Sequence, residues 1–276
     1  MVSRQLVVTP QLGAKLVPVR RKAGGYVILK GGGRNDGTLP LPPVSLREGY
    51  GVRPDLSPDD DQYLDGGKAH VHTMMAVLES AGFELRVGQR LLELGCATGR
   101  MLRWFAPHAE SSEVWGVDMN ALSIAWCQQH LSPPFHFVTT TTAPHLPFED
   151  RSFDLVYAGS VFTHIAELAD AWLLEVRRVL KPGALAYVTI FDDKSRDALL
   201  TRFVDHPTHR FLSDFDRRTG VLASDYASFV YQPSCRDVRV VYDRASLLGK
   251  VGRWFVVKTV RDEAYGWQTG VVLQKR

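Results

Sequence analysis

A chain of 276 residues, 45% hydrophobic and 23% charged, can bury a substantial core, so it reads as one large globular domain or one domain with appendages. Basic residues (33) barely outnumber acidic ones (30), and the only tight basic cluster is "VRRK" at 19–22, so nucleic acid is not expected as a partner. No apolar run could span a bilayer, "MVSRQLVVTPQLG" lacks the apolar stretch of a secretory signal, and Cys96, Cys127 and Cys235 have no metal-like spacing, which together point away from membrane and metal and towards a reducing cytoplasm.

The texture of the chain changes near residue 64. Residues 1–63 read as an N-terminal arm and linker: short apolar runs flank Ala23-Gly24-Gly25 as in a hairpin, and "TLPLPPVSLREGYGVRPDLSPDDDQ" is rich in proline and acid. From 64 to 276 strand and helix patterns alternate. "KAHVHTMMAVLESAG" has helical periodicity and ends at Gly82, "RLLELG" is a strand, "RMLRWFAPHA" a helix, "VWGVDM" a strand, and "ALSIAWCQQHL" a helix capped by Asn120. "FHFVTT", "FDLVYAG" and "ALAYVTIF" supply three more strands, the last two separated by the helix "ELADAWLLEVRRVL", which stops at Lys181-Pro182-Gly183. Short apolar strands alternating with helices imply an α/β fold with a mainly parallel sheet covered on both faces.

"LLELGCATGR" at 91–100 lies where the first strand of that sheet turns into the next element, and ligands of open α/β sheets bind beyond the carboxyl ends of strands. Gly95 and Gly99 remove side chains there, so a ligand can approach the backbone. The dinucleotide pattern G-x-G-x-x-G is not met, and Glu93 just before the loop would repel a pyrophosphate while suiting a ligand that carries an ammonium group. Asp118 ends the second strand, where α/β nucleotide sites hold both ribose hydroxyls with one carboxylate. A ribose with a cationic, phosphate-free tail describes S-adenosylmethionine.

At these residues the chain resembles the class I S-adenosylmethionine-dependent methyltransferases. "LLELGCATGR", "GVDMN", "HLPFEDRSFDLVYAG" and "LLEVRRVLKPGALAYVTI" follow one another as the family's motifs do, over about residues 64–192, and "RWFVVKTV" and "GVVLQKR" are similar to its two closing strands. The resemblance implies a Rossmann-like, doubly wound sheet of seven strands with the last antiparallel. By position it places Glu93, Gly95, Cys96, Ala97 and Gly99 along the methionine portion of the cofactor, Asp118 on the ribose, Met119 on the adenine face, and Thr142 with Ala143 at the adenine edge. Ser160, which opens the segment after the fourth strand, is expected among the cofactor-binding residues. The family usually has glycine at Ala97 and often aspartate at Thr142; a methyl and a hydroxyl replace them here, and the hydroxyl can still accept a hydrogen bond from the adenine amino group.

Transfer to a hydroxyl needs a base. "SVFTHI" at 160–165 places His164 at the cleft, where an imidazole can take the proton, although a histidine opening a helix can equally make only a local hydrogen bond. His70 and His72 are two apart and cannot share a helix face. Asp192, just past the fifth strand, either faces the cleft as a second catalytic candidate or caps the next helix. The long segment 193–250 between strands five and six carries Phe211, Phe215, Tyr226, Phe229, Tyr231, Arg210, Arg217 and Arg218, and is either a lid or a small subdomain fastened by its aromatics. The arm could cover the same mouth or join two subunits as a homodimer. The reading is a cytoplasmic methyltransferase acting on a hydroxyl of a small-molecule acceptor such as a sugar or secondary metabolite, with S-adenosylhomocysteine as product. N-methylation of a peptide or protein, or a catalytically inactive cofactor-binding partner subunit, are the alternatives; a nicotinamide oxidoreductase is disfavoured by the loop spacing.

Overall fold

The computed structural model describes residues 39–276 apart from 54, 56, 166, 167, 207, 210, 211, 213–221, 224–226 and 233–236. The hairpin expected around Ala23-Gly24-Gly25, the "VRRK" cluster, and Arg210, Phe211, Phe215, Arg217, Arg218 and Tyr226 lie outside the described residues. Seven strands form one sheet: β1 (Arg90–Leu94), β2 (Glu113–Asp118), β3 (His136–Thr139), β4 (Phe153–Ala158), β5 (Leu180–Ile190), β9 (Phe255–Tyr265) and β10 (Gln268–Lys275). Their order is β3-β2-β1-β4-β5-β10-β9. Strands β1 to β5 pair in parallel, and β10 runs antiparallel to both β5 and β9, as the resemblance implied.

Alternate residues of each strand feed opposite faces of the sheet. Leu91 packs with Met74, Leu78, Ile124, Tyr157 and Tyr187 on the side of α1 (Asp60–Ser80) and α3 (Ala121–His130). Leu92 and Leu94 pack with Trp172, Val176, Leu247 and Phe255 on the side of α4 (Ala169–Val179) and α6 (Arg244–Val251). Both clusters are lined by apolar side chains.

Helix α1 starts before the expected change in texture. Asp59 accepts from the Gln62 amide at its N-terminus, and Asp60 and Asp61 in the first turn complement the helix dipole, so the acidic run read as linker is a helix start. Its end falls where Gly82 placed it: Gly82 N donates to Glu79 O and Phe83 N to Leu78 O, both at 2.9 Å, with Gly82 at φ +92. Asn120 caps α3 as expected, accepting from the amides of Leu122 and Ser123. "RMLRWFAPHA" is not one helix. It forms a 3-10 turn, Leu102–Phe105, followed by the single turn α2 (Ala106–Ala109), because Pro107 has no amide to continue the ladder from the preceding turn.

The described residues of the 193–250 segment form regular elements. It contains α5 (Asp193–Thr201), a three-stranded antiparallel sheet of β6 (Leu222–Ala223), β7 (Ala227–Gln232) and β8 (Asp237–Tyr242), and α6. Phe229 and Tyr231 fall on β7. Strand β8 is tied to the loop after β4: Val240 N donates to Thr163 O at 3.0 Å, and the Tyr242 hydroxyl lies within hydrogen-bond distance of Phe162 O (3.0 Å) and Ile165 O (3.1 Å). Among the described residues no helix is long and apolar enough to cross a membrane.

Candidate active site

The carboxyl ends of β1, β2, β4 and β5 share one edge of the sheet, and the loop Gly95–Gly99 crosses it. Gly95 (φ +75), Ala97 (φ +45) and Gly99 (φ +72) all lie in the left-handed region, which explains two of the three glycine-type positions and shows that alanine supports the third at some strain. A Cβ on Gly95 would stand 2.4 Å from Val161 Cγ2, so the loop after β4 closes directly on it. The Gly95 and Cys96 amides donate to Val117 O at 2.8 and 3.0 Å. The loop is thus sewn to the end of β2.

Asp118 completes the stitching. Its Oδ2 accepts from Ala97 N at 2.8 Å and its Oδ1 from Asn120 N at 2.7 Å, so its carboxylate is fixed between the glycine loop and the start of α3. Met119 is half-buried beside it. The neighbouring loop after β3 is joined to the same place by Thr140 N donating to Asp118 O at 2.9 Å; on that loop Thr142 and Ala143 are exposed. Cys96 and Cys127 are both buried, with thiols 3.7 and 3.6 Å from Ala97 O, and burial pushes both well above the ordinary thiol range. Neither is a nucleophile at neutral pH.

Glu93, next to last in β1, is 4% exposed, with the Tyr157 hydroxyl donating to its Oε2 at 3.2 Å. Burial pushes its carboxyl up to about 8, against the opposing pull of the Tyr157 bond and of Arg100. Burial thus favours the protonated carboxyl, and an ammonium group placed against it would favour the carboxylate. A raised folded-state value carries a stability consequence with a definite sign: the contribution is intact below the ordinary value of 4.5 and is lost as pH rises towards about 8. Glu93→Gln should consequently gain thermal stability on the wild type between about pH 5 and pH 8 and hold a constant offset above that, as read from melting temperatures across pH; parallel curves for the two proteins would show that the carboxyl is not buried neutral.

Beyond β4, Ser160 takes φ +60. Its amide donates to Thr189 Oγ1 at 2.7 Å and its hydroxyl accepts from Gln268 Nε2 at 2.8 Å, while Thr189 donates to Gln268 Oε1 at 2.7 Å. This network joins β4, β5 and β10. His164 follows on the same loop, half-buried, its Nε2 3.0 Å from Arg239 Nη1 on β8. Because guanidinium only donates, that contact makes Nε2 the acceptor and puts the imidazole proton on Nδ1.

Asp192 is elsewhere. Fully buried, it accepts from Ser195 N (2.9 Å), Ser195 Oγ (2.8 Å) and Thr269 Oγ1 (3.0 Å), and pairs with Arg244 Nε at 2.7 Å. It caps α5 and anchors the insertion to the sheet, and a carboxylate held by four donors does not reach an acceptor, so it is dropped as a catalytic candidate. His72 is exposed, whereas His70 turns inward, stacked on Tyr265 with centroids 3.7 Å apart and Nδ1 3.0 Å from Arg100 Nη2. Arg100 and Tyr265, unremarked in the sequence, pack beside the glycine loop. The segment 39–51 lies on that loop: Thr98 donates to Leu46 O at 3.3 Å, Arg103 to Pro40 O at 2.8 Å, and Asn120 Nδ2 to Glu48 Oε1 at 3.1 Å.

A sheet in this order, with a glycine loop after β1 and an aspartate closing β2, defines the nucleoside-binding fold of class I methyltransferases. A family model described as "Methyltransferase domain" matches residues 92–188. The chain is 28% identical over 211 residues to the ubiquinone/menaquinone biosynthesis C-methyltransferase of Cupriavidus metallidurans, covering 74% of this chain and 78% of that one. It is 35% identical over 97 residues to the fatty-acid O-methyltransferase of Mycolicibacterium smegmatis, 35% of each chain. Six curated methyltransferases, that one included, are matched over only 34% to 42% of their own length. Among solved structures, the PH0226 protein of Pyrococcus horikoshii superposes with a TM-score of 0.55 at 19% identity, over 78% of this chain and 96% of that one, and so shares the fold. Residues 92–188 thus carry a methyltransferase domain, and S-adenosylmethionine is its cofactor.

Proposed function

We propose that the enzyme methylates a hydroxyl oxygen of a small-molecule acceptor. The observation that carries this reading is His164, an imidazole on the loop that follows β4, four residues beyond Ser160 and in contact with Arg239 of the insertion. A hydroxyl must lose a proton as it is methylated, and an imidazole is suited to accept it. The cofactor supplies an electrophilic methyl group on a sulfonium with a good leaving group. What the chain contributes is alignment, which can be worth up to roughly 7 to 11 kcal/mol, and a place for the proton.

In this reading Asp118 holds the ribose, Glu93 the ammonium group, the Gly95–Gly99 backbone the methionine chain, and Met119, Thr142 and Ala143 the adenine. Ser160 and Gln268 border the acceptor. The insertion 193–250 acts as the acceptor-side cover through β8, and residues 39–63 as a cover on the cofactor side. The Cupriavidus relative is named for C-methylation, so the nature of the new bond is the discriminating measurement. With methyl-labelled cofactor and a panel of phenolic, sugar, carboxylic, amine and quinol acceptors, the label is expected on oxygen, read by the carbon shift of the transferred methyl group. Label on carbon or nitrogen would overturn the O-methyl reading, and no turnover with any acceptor would favour the inactive partner subunit.

A further inference from the structure

Ser160, at φ +60 just beyond β4, holds a left-handed backbone that a residue with a side chain keeps only where its surroundings enforce it. The enforcement is a set of hydrogen bonds in which each proton has one direction. The Ser160 amide can only donate, so Thr189 Oγ1 accepts from it at 2.7 Å. Thr189 is fully buried, and its own proton goes to Gln268 Oε1 at 2.7 Å. Turning the Gln268 amide over would leave that buried proton without an acceptor among the described residues. The amide nitrogen of Gln268 therefore faces Ser160 and donates to its Oγ at 2.8 Å. Thr163, also buried, directs its proton to Ser160 O at 3.0 Å.

Gln268 thus occupies an accepting position on the Ser160 oxygen and leaves the serine its own proton to give. Within the protein that proton can reach Thr163 Oγ1 at 3.3 Å, longer than the roughly 2.5 to 3.0 Å usual between two oxygens. Ser160 is half-buried whereas Thr163, Thr189 and Gln268 are buried, so its hydroxyl is the member of the set open to the cleft. The next residue, Val161, closes on Gly95 of the glycine loop, and His164 follows on the same turn of chain. A donor fixed by β5 and β10 therefore stands where the glycine loop meets the loop of the proposed base.

From this hydrogen-bond polarity we infer that Ser160, oriented by Gln268, donates to the nucleophilic atom of the acceptor and thereby selects oxygen against nitrogen. The inference rests on the O-methyl reading and deepens it. A hydroxyl or carboxylate oxygen has more than one lone pair, so one accepts from Ser160 while another attacks. A neutral amine has a single lone pair; a donor aimed at it blocks the attack, and the ammonium product would face that donor with a proton of its own. With oxygen, the O–CH3 bond forms, the electron pair of the broken S–CH3 bond stays on sulfur, and the acceptor proton passes to His164. The bond from Ser160 does not make the oxygen more nucleophilic. It contributes alignment and the choice of atom, and in this role Ser160 serves the acceptor and not the cofactor.

The test is a competition within one probe, 2-aminophenol, which offers a hydroxyl and an uncharged aromatic amine on adjacent carbons. With methyl-labelled cofactor, wild type should favour oxygen over nitrogen by about tenfold, the scale of one hydrogen bond made or lost. Ser160→Ala removes the donor and should abolish most of that preference. Gln268→Glu keeps the bond from Thr189 but can only accept, so it turns the Ser160 proton away from the cleft and should lower the ratio alike; it serves if the alanine variant does not fold. Both variants should bind S-adenosylhomocysteine as wild type does. If 2-aminophenol is not methylated, the ratio is taken between the hydroxyl compound that does receive label and its amino counterpart. An oxygen-to-nitrogen ratio unmoved in both variants would overturn the inference, and weaker S-adenosylhomocysteine binding by Ser160→Ala at an unmoved ratio would return Ser160 to the cofactor. Wild-type label on nitrogen or carbon alone would instead overturn the O-methyl reading beneath it.

Discussion

Asp118→Ala is expected to lower affinity for S-adenosylhomocysteine at least tenfold, measured by calorimetry, while the far-ultraviolet spectrum stays that of the wild type. Each charge-assisted bond from a ribose hydroxyl to the carboxylate is worth roughly 1.5 to 3 kcal/mol, and the ligand would lose two acceptors at once. The structure adds a second reason for a large effect. The same carboxylate receives Ala97 N and Asn120 N, so its removal also releases the glycine loop from the start of α3. The two contributions separate with a ligand whose ribose lacks the 2′ and 3′ hydroxyls. Against wild type that analogue should bind weakly, and Asp118→Ala should cost it only what loop release costs. If the variant weakens both ligands by one factor, Asp118 is a loop anchor and the ribose is held by something else.

Much of this site was legible because its signals are local. Glu93, Gly95, Ala97 and Gly99 sit within seven residues, a strand end and a turn with left-handed backbone, and the phenotype of such a turn is written in glycine spacing. Asn120 and Gly82 are equally local devices, an N-terminal cap and a left-handed C-terminal residue, and both act where the sequence placed them. The remainder depends on partners far apart in sequence. Arg100 is an ordinary surface-type residue until Tyr265, 165 positions away, and His70 are brought to its guanidinium. Asp192 gave equal support to a cleft position and a cap, and only Arg244, 52 positions on, and Thr269 settle its carboxylate in the interior. The start of α1 was hidden for a different reason: Asp59, Asp60 and Asp61 beside Pro58 read as a solvated linker, although the same acids stabilise a helix N-terminus.

His164→Gln and His164→Ala are expected to bind S-adenosylhomocysteine as wild type does and to lose turnover by about a hundredfold to ten-thousandfold with a hydroxyl acceptor, the range associated with loss of a general base. The contact with Arg239 makes the glutamine variant the informative one. Glutamine keeps a carbonyl that can accept from the Arg239 guanidinium, so it preserves the tie between the β4 loop and β8, but it cannot take up a proton. If His164 works only as an anchor for the insertion, His164→Gln should stay near wild-type turnover while His164→Ala falls. If it works as the base, both should fall alike, because neither replacement can take up the proton. The arrangement also sets a condition on the base: Nε2 is engaged by Arg239, so the acceptor hydroxyl must displace that guanidinium or shift β8 before the proton can move. Increased solvent viscosity should therefore slow turnover in the wild type, where this rearrangement competes with chemistry, and leave the slower glutamine variant unaffected. Near-wild-type turnover in His164→Gln would assign proton removal to another group or to solvent, and leave the histidine as the clasp that holds the insertion over the acceptor.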